Sequence, residues 1–476
     1  LLVKWCGVFI QLLGIRKAFF TGFTPACRFL RLSMTPQHLL NSGPILPTML
    51  RMSWPNMIAM LATAAVTIAE TIYVGQLGTA PLAGMALVFP VVMLQHMLSA
   101  GGIGGGISAT ISRAMGAQDT ARAQALAWHG CVLCLSFGLL FTVLLTLGIG
   151  SFLNMLGGQA DAVESAVGYA YVAFGGCTGI WLTNGFASVL RATGDMRTPS
   201  ATLMVIAVVQ VLLSGALGLG WGPFPRLGMA GVASGLALAY AGGAVFLGWR
   251  LTRAQAPLRL SPRTKLAWPY FQAILKIGGL GSLSSIQNVL YVLIVTRLVA
   301  GFGTEALAGY GIGSRLEFLL VPITFAIGVS AAPLVGMALG AGLVARARRV
   351  AWTGAALAML ILAPIGFTVA LWPNLWSGLF TDDPVTLGVA ASYFQWVGPV
   401  YIFFGAGLAL YFAAQGAGKL AGPVLVATLR LCTVAVGGWW LLKHGADAQD
   451  MFALIGVAMV VYGVCTALSV WRTKWQ

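Results

Sequence analysis

The segment Gly78-Thr79-Ala80-Pro81-Leu82-Ala83-Gly84 returns as Gly303-Thr304-Glu305-Ala306-Leu307-Ala308-Gly309, 225 residues later. At an offset of 224, Met115-Gly116-Ala117, Ala121-Arg122-Ala123 and Ala127-Trp128 return as Leu339-Gly340-Ala341, Ala345-Arg346-Ala347 and Ala351-Trp352. Gly194 and Pro199 return as Gly418 and Pro423 at the same offset. A register held across more than a hundred residues marks a duplicated half. Whatever one half folds into, the other must repeat. In membrane proteins such pairs typically build transporters with the site between the halves.

The solvent of this chain is lipid. Its 476 residues are 59% hydrophobic and 8% charged, with a mean hydropathy of +0.89, against roughly 25% charged in soluble domains. A helical span takes about 20 apolar residues, and a bilayer admits only helices or closed barrels. The apolar runs are long and do not alternate, which excludes a barrel. Twelve spans are expected, near 50–74, 80–106, 123–150, 162–190, 199–220, 228–249, 270–300, 306–334, 350–372, 386–414, 420–442 and 451–471. That is six per half, in step with the repeat. The expected fold is all-α, a polytopic membrane protein of twelve transmembrane helices in two six-helix repeats.

A net charge of +16 could signal nucleic acid, but its placement does not. The N-terminal region, the loops after spans 2, 4, 6, 8 and 10, and the C-terminus hold 22 of the 27 basic residues. The opposite loops carry mainly acids, among them Asp161, Glu164, Glu305, Asp382, Asp383, Asp447 and Asp450. The positive-inside rule puts both termini in the cytoplasm. An even number of spans per half makes the repeats parallel, related by an axis along the membrane normal. The expected organisation is a cytoplasmic leader over 1–48, a six-helix lobe over 49–250, a cytoplasmic linker over 251–269 and a second lobe over 270–476. The linker region from Arg250 to Lys265 holds Pro257, Pro262 and five basic residues. The first 33 residues resemble neither a cleavable signal nor a clear span. They read either as an over-extended start upstream of Met34 or Met49, or as an amphipathic leader. Cys131 and Cys134 have CxxC spacing but lie within an apolar run without a second ligand pair, so packing is expected and no metal.

Charge inside a span costs about 2.5–3.5 kcal/mol on insertion scales, so each case needs a reason. Glu70 lies in span 1 and Glu317 in span 8. No basic residue stands near Glu70 in sequence, and burial suits such a carboxyl to reversible protonation. It is the expected ion-coupling group, with a structural acid as the alternative. Glu317 follows Arg315 by two residues, a spacing that puts them on different helix faces. It reads either as a polar anchor or as a substrate or proton group. The repeat sharpens the contrast, because Glu70 answers to Ile294 or Val295, Asn184 to Leu408, Gln210 to Val434 and Ser214 to Gly438. Gln287 and Asn288 run the other way, answering to Thr63 and Ala64. Interhelical hydrogen bonding is the alternative for each. His96, beside Gln95, is either a proton relay or a satisfied hydrogen-bonder. The run Gly101 to Gly106 lacks the Lys and Ser/Thr of a phosphate loop and reads as close helix packing. Pro55 in span 1 and its repeat mate Gly279 in span 7 are candidate hinges or static kinks.

Several segments resemble the multidrug and toxic compound extrusion (MATE) transporters. They are Ala69-Glu-Thr-Ile-Tyr-Val-Gly-Gln-Leu-Gly78, Leu190-Arg-Ala-Thr-Gly-Asp-Met-Arg-Thr-Pro199, Gly222-Pro-Phe-Pro-Arg-Leu-Gly-Met-Ala-Gly231, the stretch from Gly303 to Glu317, and Leu339-Gly-Ala-Gly342. The resemblance runs from about residue 50 to the end and implies two lobes around a central cleft. It also implies export of amphipathic, often cationic compounds in exchange for protons or sodium ions. Glu70 stands where members usually have an Asp, and Asn184 matches a span 4 Asn. Gln210 and Ser214 stand where an Asn and an Asp are common, and Gln287-Asn288 and Phe404-Gly405 stand near acids of NorM-like members. A sodium site wants several hard oxygen ligands; with most of them lost, proton coupling through Glu70 is the expectation.

The expected protein is therefore a proton-coupled antiporter of the cytoplasmic membrane that exports amphipathic, cationic small molecules. It needs no cofactor beyond its coupling ion, takes no nucleic acid, and is expected to work as a monomer in the lipid bilayer. The alternatives are a sodium-coupled exporter and a lipid-linked saccharide flippase. An enzyme is not expected, because the four histidines, His38, His96, His129 and His444, are scattered.

Overall fold

The computed structural model describes residues 42–155, 160–253, 256–261 and 264–475. Most of the expected leader, up to residue 41, and Pro262 of the linker lie outside the described residues. Twelve helical rods follow one another, with no strand among the described residues. They are α1 (Ile45–Leu77), α2 (Thr79–Gly116), α3 (Thr120–Met155), α4 (Ala160–Gly175 and Cys177–Ala192), α5 (Arg197–Leu219), α6 (Gly228–Thr252), α7 (Trp268–Ala300), α8 (Thr304–Gly340), α9 (Val344–Leu371), α10 (Pro384–Val397 and Tyr401–Ala417), α11 (Ala421–Lys443) and α12 (Ala448–Arg472). A one-turn helix, Asn374–Ser377, precedes α10. Ten rods are each long and apolar enough to cross a bilayer; the two pieces of α10, bent by 55°, make an eleventh. The two sixteen-residue halves of α4 complete the set.

The repeat is visible in the backbone. Helices α1 and α7 are both 33 residues long, α5 and α11 both 23, and α6 and α12 both 25. Gly78 and Gly303, which precede α2 and α8, have φ of 133° and 110°, and Gly194 and Gly418 have 89° and 69°. Boundaries follow local chemistry. Asp447 and Asp450 form a capping box on α12, and Asp383 caps α10 by accepting from the Thr386 backbone N–H at 2.9 Å. Leu147, Val245, Leu360 and Leu425 project outward at 70% exposure or more, as lipid-facing side chains do.

Where the lobes meet decides the shape. The first helix of each lobe reaches into the other. Met49 and Met52 of α1 belong to the apolar cluster built from α8, α9 and α10, and Ile274 of α7 belongs to that of the first lobe. A Cβ on Gly106 would come within 2.7 Å of the Gly278 nitrogen and the Ile274 carbonyl, and one on Gly102 within 3.1 Å of the Ser282 backbone. The glycine run thus lets α2 and α7 pack backbone to backbone. Gly116 sits against the Met337 carbonyl and Gly340 against the Arg113 carbonyl. These two contacts are repeat mates, so the pseudo-twofold axis passes between α2 and α8. Gln415 closes the set by donating from Nε2 to the Gly101 carbonyl at 2.8 Å. These close contacts lie toward the end of the bundle that carries the turns at Gln118 and Gly342, here called the lower end.

Candidate functional site

Three of the sequence-predicted residues come together near the upper end of the first lobe. Glu70 lies two turns from the end of α1 and is 5% exposed. Gln210 and Ser214 are four apart on α5 and so share a face. Gln210 Nε2 donates to Glu70 Oε1 at 2.8 Å, and Ser214 Oγ stands 3.0 Å from the same oxygen. Ser214 Oγ is also 2.9 Å from the Val232 carbonyl of α6. A hydroxyl has one proton, so it can serve only one of these acceptors. An ionised Glu70 claims that proton; a neutral Glu70 can donate its own to Ser214 and release the serine proton to Val232. Gly235 makes the arrangement possible, because a Cβ there would meet the Ser214 backbone nitrogen at 2.5 Å.

The remaining expected residues are placed elsewhere. Asn184 donates from Nδ2 to Ser99 Oγ at 2.8 Å, joining α4 to the wide turn of α2 at Met97–Ile103. His96 packs edge-on to Tyr240, ring centroids 5.2 Å apart. Gln287 donates to Thr428 Oγ1 at 2.7 Å, and Asn288 is half-buried beside it. Glu317 accepts from the Tyr393 hydroxyl within the second lobe, while Arg315 is exposed with its Cζ 5.0 Å from the Phe380 ring. Pro55 and Gly279 both lie within unbroken helices.

Arg297 and Arg315 are exposed, whereas Arg430 is 7% exposed, with its Cζ 3.6 Å from the centre of the Tyr291 ring. The available signal was its repeat mate, the apolar Ile206. His129 was also passed over. Its Nε2 accepts from the Ala267 N–H at 2.9 Å, which leaves Nδ1 protonated to donate to the Ala125 carbonyl at 2.6 Å. The ring thereby ties α3 to the start of α7, between Tyr270 and Phe271.

A protein-family model, MatE, matches this chain twice, over residues 55–215 and 282–440, once in each half. The chain belongs to the MatE family. Its family is one of membrane transporters, and the multi-pass helical architecture follows. An FAD transporter of Shewanella oneidensis is 26% identical over 361 residues, 74% of this chain and 78% of that one. A probable multidrug resistance protein NorM of Thermotoga maritima is 26% identical over 374 residues, 77% of this chain and 78% of that one. Among solved structures, a MOP superfamily transporter from Pyrococcus furiosus superposes with a TM-score of 0.85 at 22% identity, covering 93% of this chain and 98% of that one. The Vibrio cholerae MATE transporter VcmN in its bent form gives 0.82 at 23% identity, covering 90% and 96%. Such structural likeness establishes the fold: twelve MATE helices in two repeats.

Proposed function

We propose that this MATE protein is an antiporter of the cytoplasmic membrane that exports amphipathic, cationic small molecules in exchange for protons, with Glu70 as the coupling group. The observation that carries the reading is the composition of the Glu70 shell. One carboxylate meets one amide and one hydroxyl, with no second carboxylate hydrogen-bonded to the trio among the described residues. Sodium is held best by several hard oxygens, preferably anionic. A lone buried carboxyl that exchanges hydrogen-bond partners with Ser214 suits a proton better. Protonation from outside removes the negative charge that holds the cation, and deprotonation to the cytoplasm restores it, so proton and substrate compete for one carboxylate.

The basic loops favour placing the lower end in the cytoplasm, which makes the close contacts between the lobes an inner gate and puts Glu70 in the outer half. The lobes over 49–250 and 270–476 would then rock about that gate, with Pro55 and Gly279 as the points where α1 and α7 yield. The test uses proteoliposomes with an imposed acid-outside gradient. Protons entering should drive a preloaded fluorescent organic cation out in either orientation of the protein, and the reversed, acid-inside gradient should drive its uptake, without added sodium. An absolute sodium requirement with no response to the pH gradient would overturn proton coupling.

A further inference from the structure

Helix α11 carries a buried cation whose charge is not neutralised at close range. Arg430 lies near the middle of its 23 residues, 7% exposed. Its Cζ is 3.6 Å from the ring centre of Tyr291, 5.3 Å from Tyr462 and 5.7 Å from Phe404. These rings belong to α7, α12 and α10, so the guanidinium points into the second bundle and away from lipid. Stacking satisfies only its faces; the five N–H groups lie in the plane and need acceptors. Among the described residues, Nε is buried without a hydrogen-bond partner, and no carboxylate forms an ion pair with the group. Glu317, the acid of this bundle, is engaged by the Tyr393 hydroxyl. The hydroxyls of Tyr291 and Tyr401 are likewise buried without partners. A charge is costly to hold unpaired inside a membrane, and Nε still lacks an acceptor.

We propose that Arg430 is the anion-recognising group of a second subsite, in the C-terminal lobe. It would take the carboxylate or a similar oxyanion of an amphipathic aromatic compound, whose ring lies against Phe404 and Tyr462. The oxyanion meets the guanidinium at Nε while the aromatic walls exclude water, which strengthens the contact. Ile206 at the equivalent place in the first lobe offers nothing comparable, so the two lobes present opposite charges. This inference deepens the export reading by adding acids and zwitterions to the substrates. Its test is an equilibrium one, independent of the coupling ion and of the direction of transport.

The experiment compares binding of a dansylated amino acid with that of its methyl ester, by fluorescence titration of the purified protein in nanodiscs of neutral lipid. The two probes share a ring and differ in the anionic group. The acid should bind about tenfold or more tightly than the ester, as a charge-assisted hydrogen bond out of water implies. Arg430→Gln should bring the ratio to about one, and Arg430→Lys, with a point charge in place of a planar fork, should leave an intermediate ratio. Equal affinities in the wild type, or a preference that survives Arg430→Gln, would overturn the proposal. If Arg430→Gln does not fold, an unchanged ratio in Arg430→Lys overturns it instead. A further arm adds phosphatidic acid. Phosphatidic acid binding in the wild type, without any preference for the free acid over the ester, would assign the subsite to a lipid phosphate and overturn the substrate reading.

Discussion

Adding one methyl group at the close contact between α2 and α8, the proposed gate, should open it. In Gly116→Ala the new Cβ would lie within 2.8 Å of the Cα and carbonyl carbon of Met337, on the facing helix. Carbon atoms settle at about 3.5–4.0 Å, so α2 and α8 must part by roughly 1 Å. Backbone atoms cannot turn aside as a side chain can. Overpacking of this kind costs about 1–3 kcal/mol. Alanine also raises helix propensity by about 1 kcal/mol, but that gain is present whether the gate is open or closed and cancels from their ratio. The net shift toward the open gate is then about 5- to 150-fold. Spin labels replacing Arg122 and Arg349, exposed at the starts of α3 and α9, would read it by pulsed electron resonance in a cysteine-free background. A second, longer distance should appear beside the short one. Gly242→Ala, where a Cβ meets nothing within 4 Å, should leave a single distance. A folded Gly116→Ala protein with the unaltered distribution would refute the idea that these carbonyl contacts hold the gate.

Three further outcomes are expected. Glu70→Gln should insert and fold but lose proton-driven export, while Glu70→Asp should keep part of it; full export by a well-expressed Glu70→Gln variant would leave Glu70 a packing acid. His129→Ala removes one hydrogen bond within α3 and one from α3 to the start of α7 and should destabilise by about 1–3 kcal/mol, read as a lower midpoint of thermal unfolding in detergent; an unchanged midpoint would show that the stacked rings alone hold the junction. The hydrogen bonds from Thr386 hold the Asp383 carboxyl below its usual range. A group with a depressed folded-state value stabilises above its unfolded value and loses that contribution as pH falls through the folded one. Protection of the Val385, Thr386 and Leu387 amides, measured against their intrinsic exchange rates, should therefore fall in acid below the ordinary carboxylate range, and Asp383→Ala should show the reduced protection at neutral pH.

The fold was largely legible because lipid imposes a strong, local code. Apolar runs of spanning length have one outcome, and the duplication counted them twice. The glycine run from Gly101 was readable as close packing, since glycine has no side chain to offer a partner. What it packs against, Ser282, Gly278 and Gln415, stands more than a hundred residues away, and no local pattern names a partner across a lobe interface. The candidate site was half legible. Glu70, Gln210 and Ser214 each stood out as polar groups among apolar repeat mates, and they meet. Asn184, His96 and Gln287 also stood out as polar groups within spans yet lie elsewhere, because a polar side chain in a span must find some partner and sequence does not say which.

The sequence by itself determined the solvent, the number of spans, the duplicated halves and the family, because each is written in composition or in a register that persists along the chain. Tertiary structure alone decided which polar residues hydrogen-bond together and which cation is left without a counter-ion. Arg297 and Arg430 are indistinguishable as letters in apolar helices; one faces outward and the other is enclosed by rings from three helices. That difference arises from the rotation of each helix about its axis. Packing against neighbours sets that rotation, and hydrogen bonds such as those from Gln210 and Ser214 to Glu70 span 140 and 144 residues of chain. Interactions that close over such separations exist only once the helices have assembled.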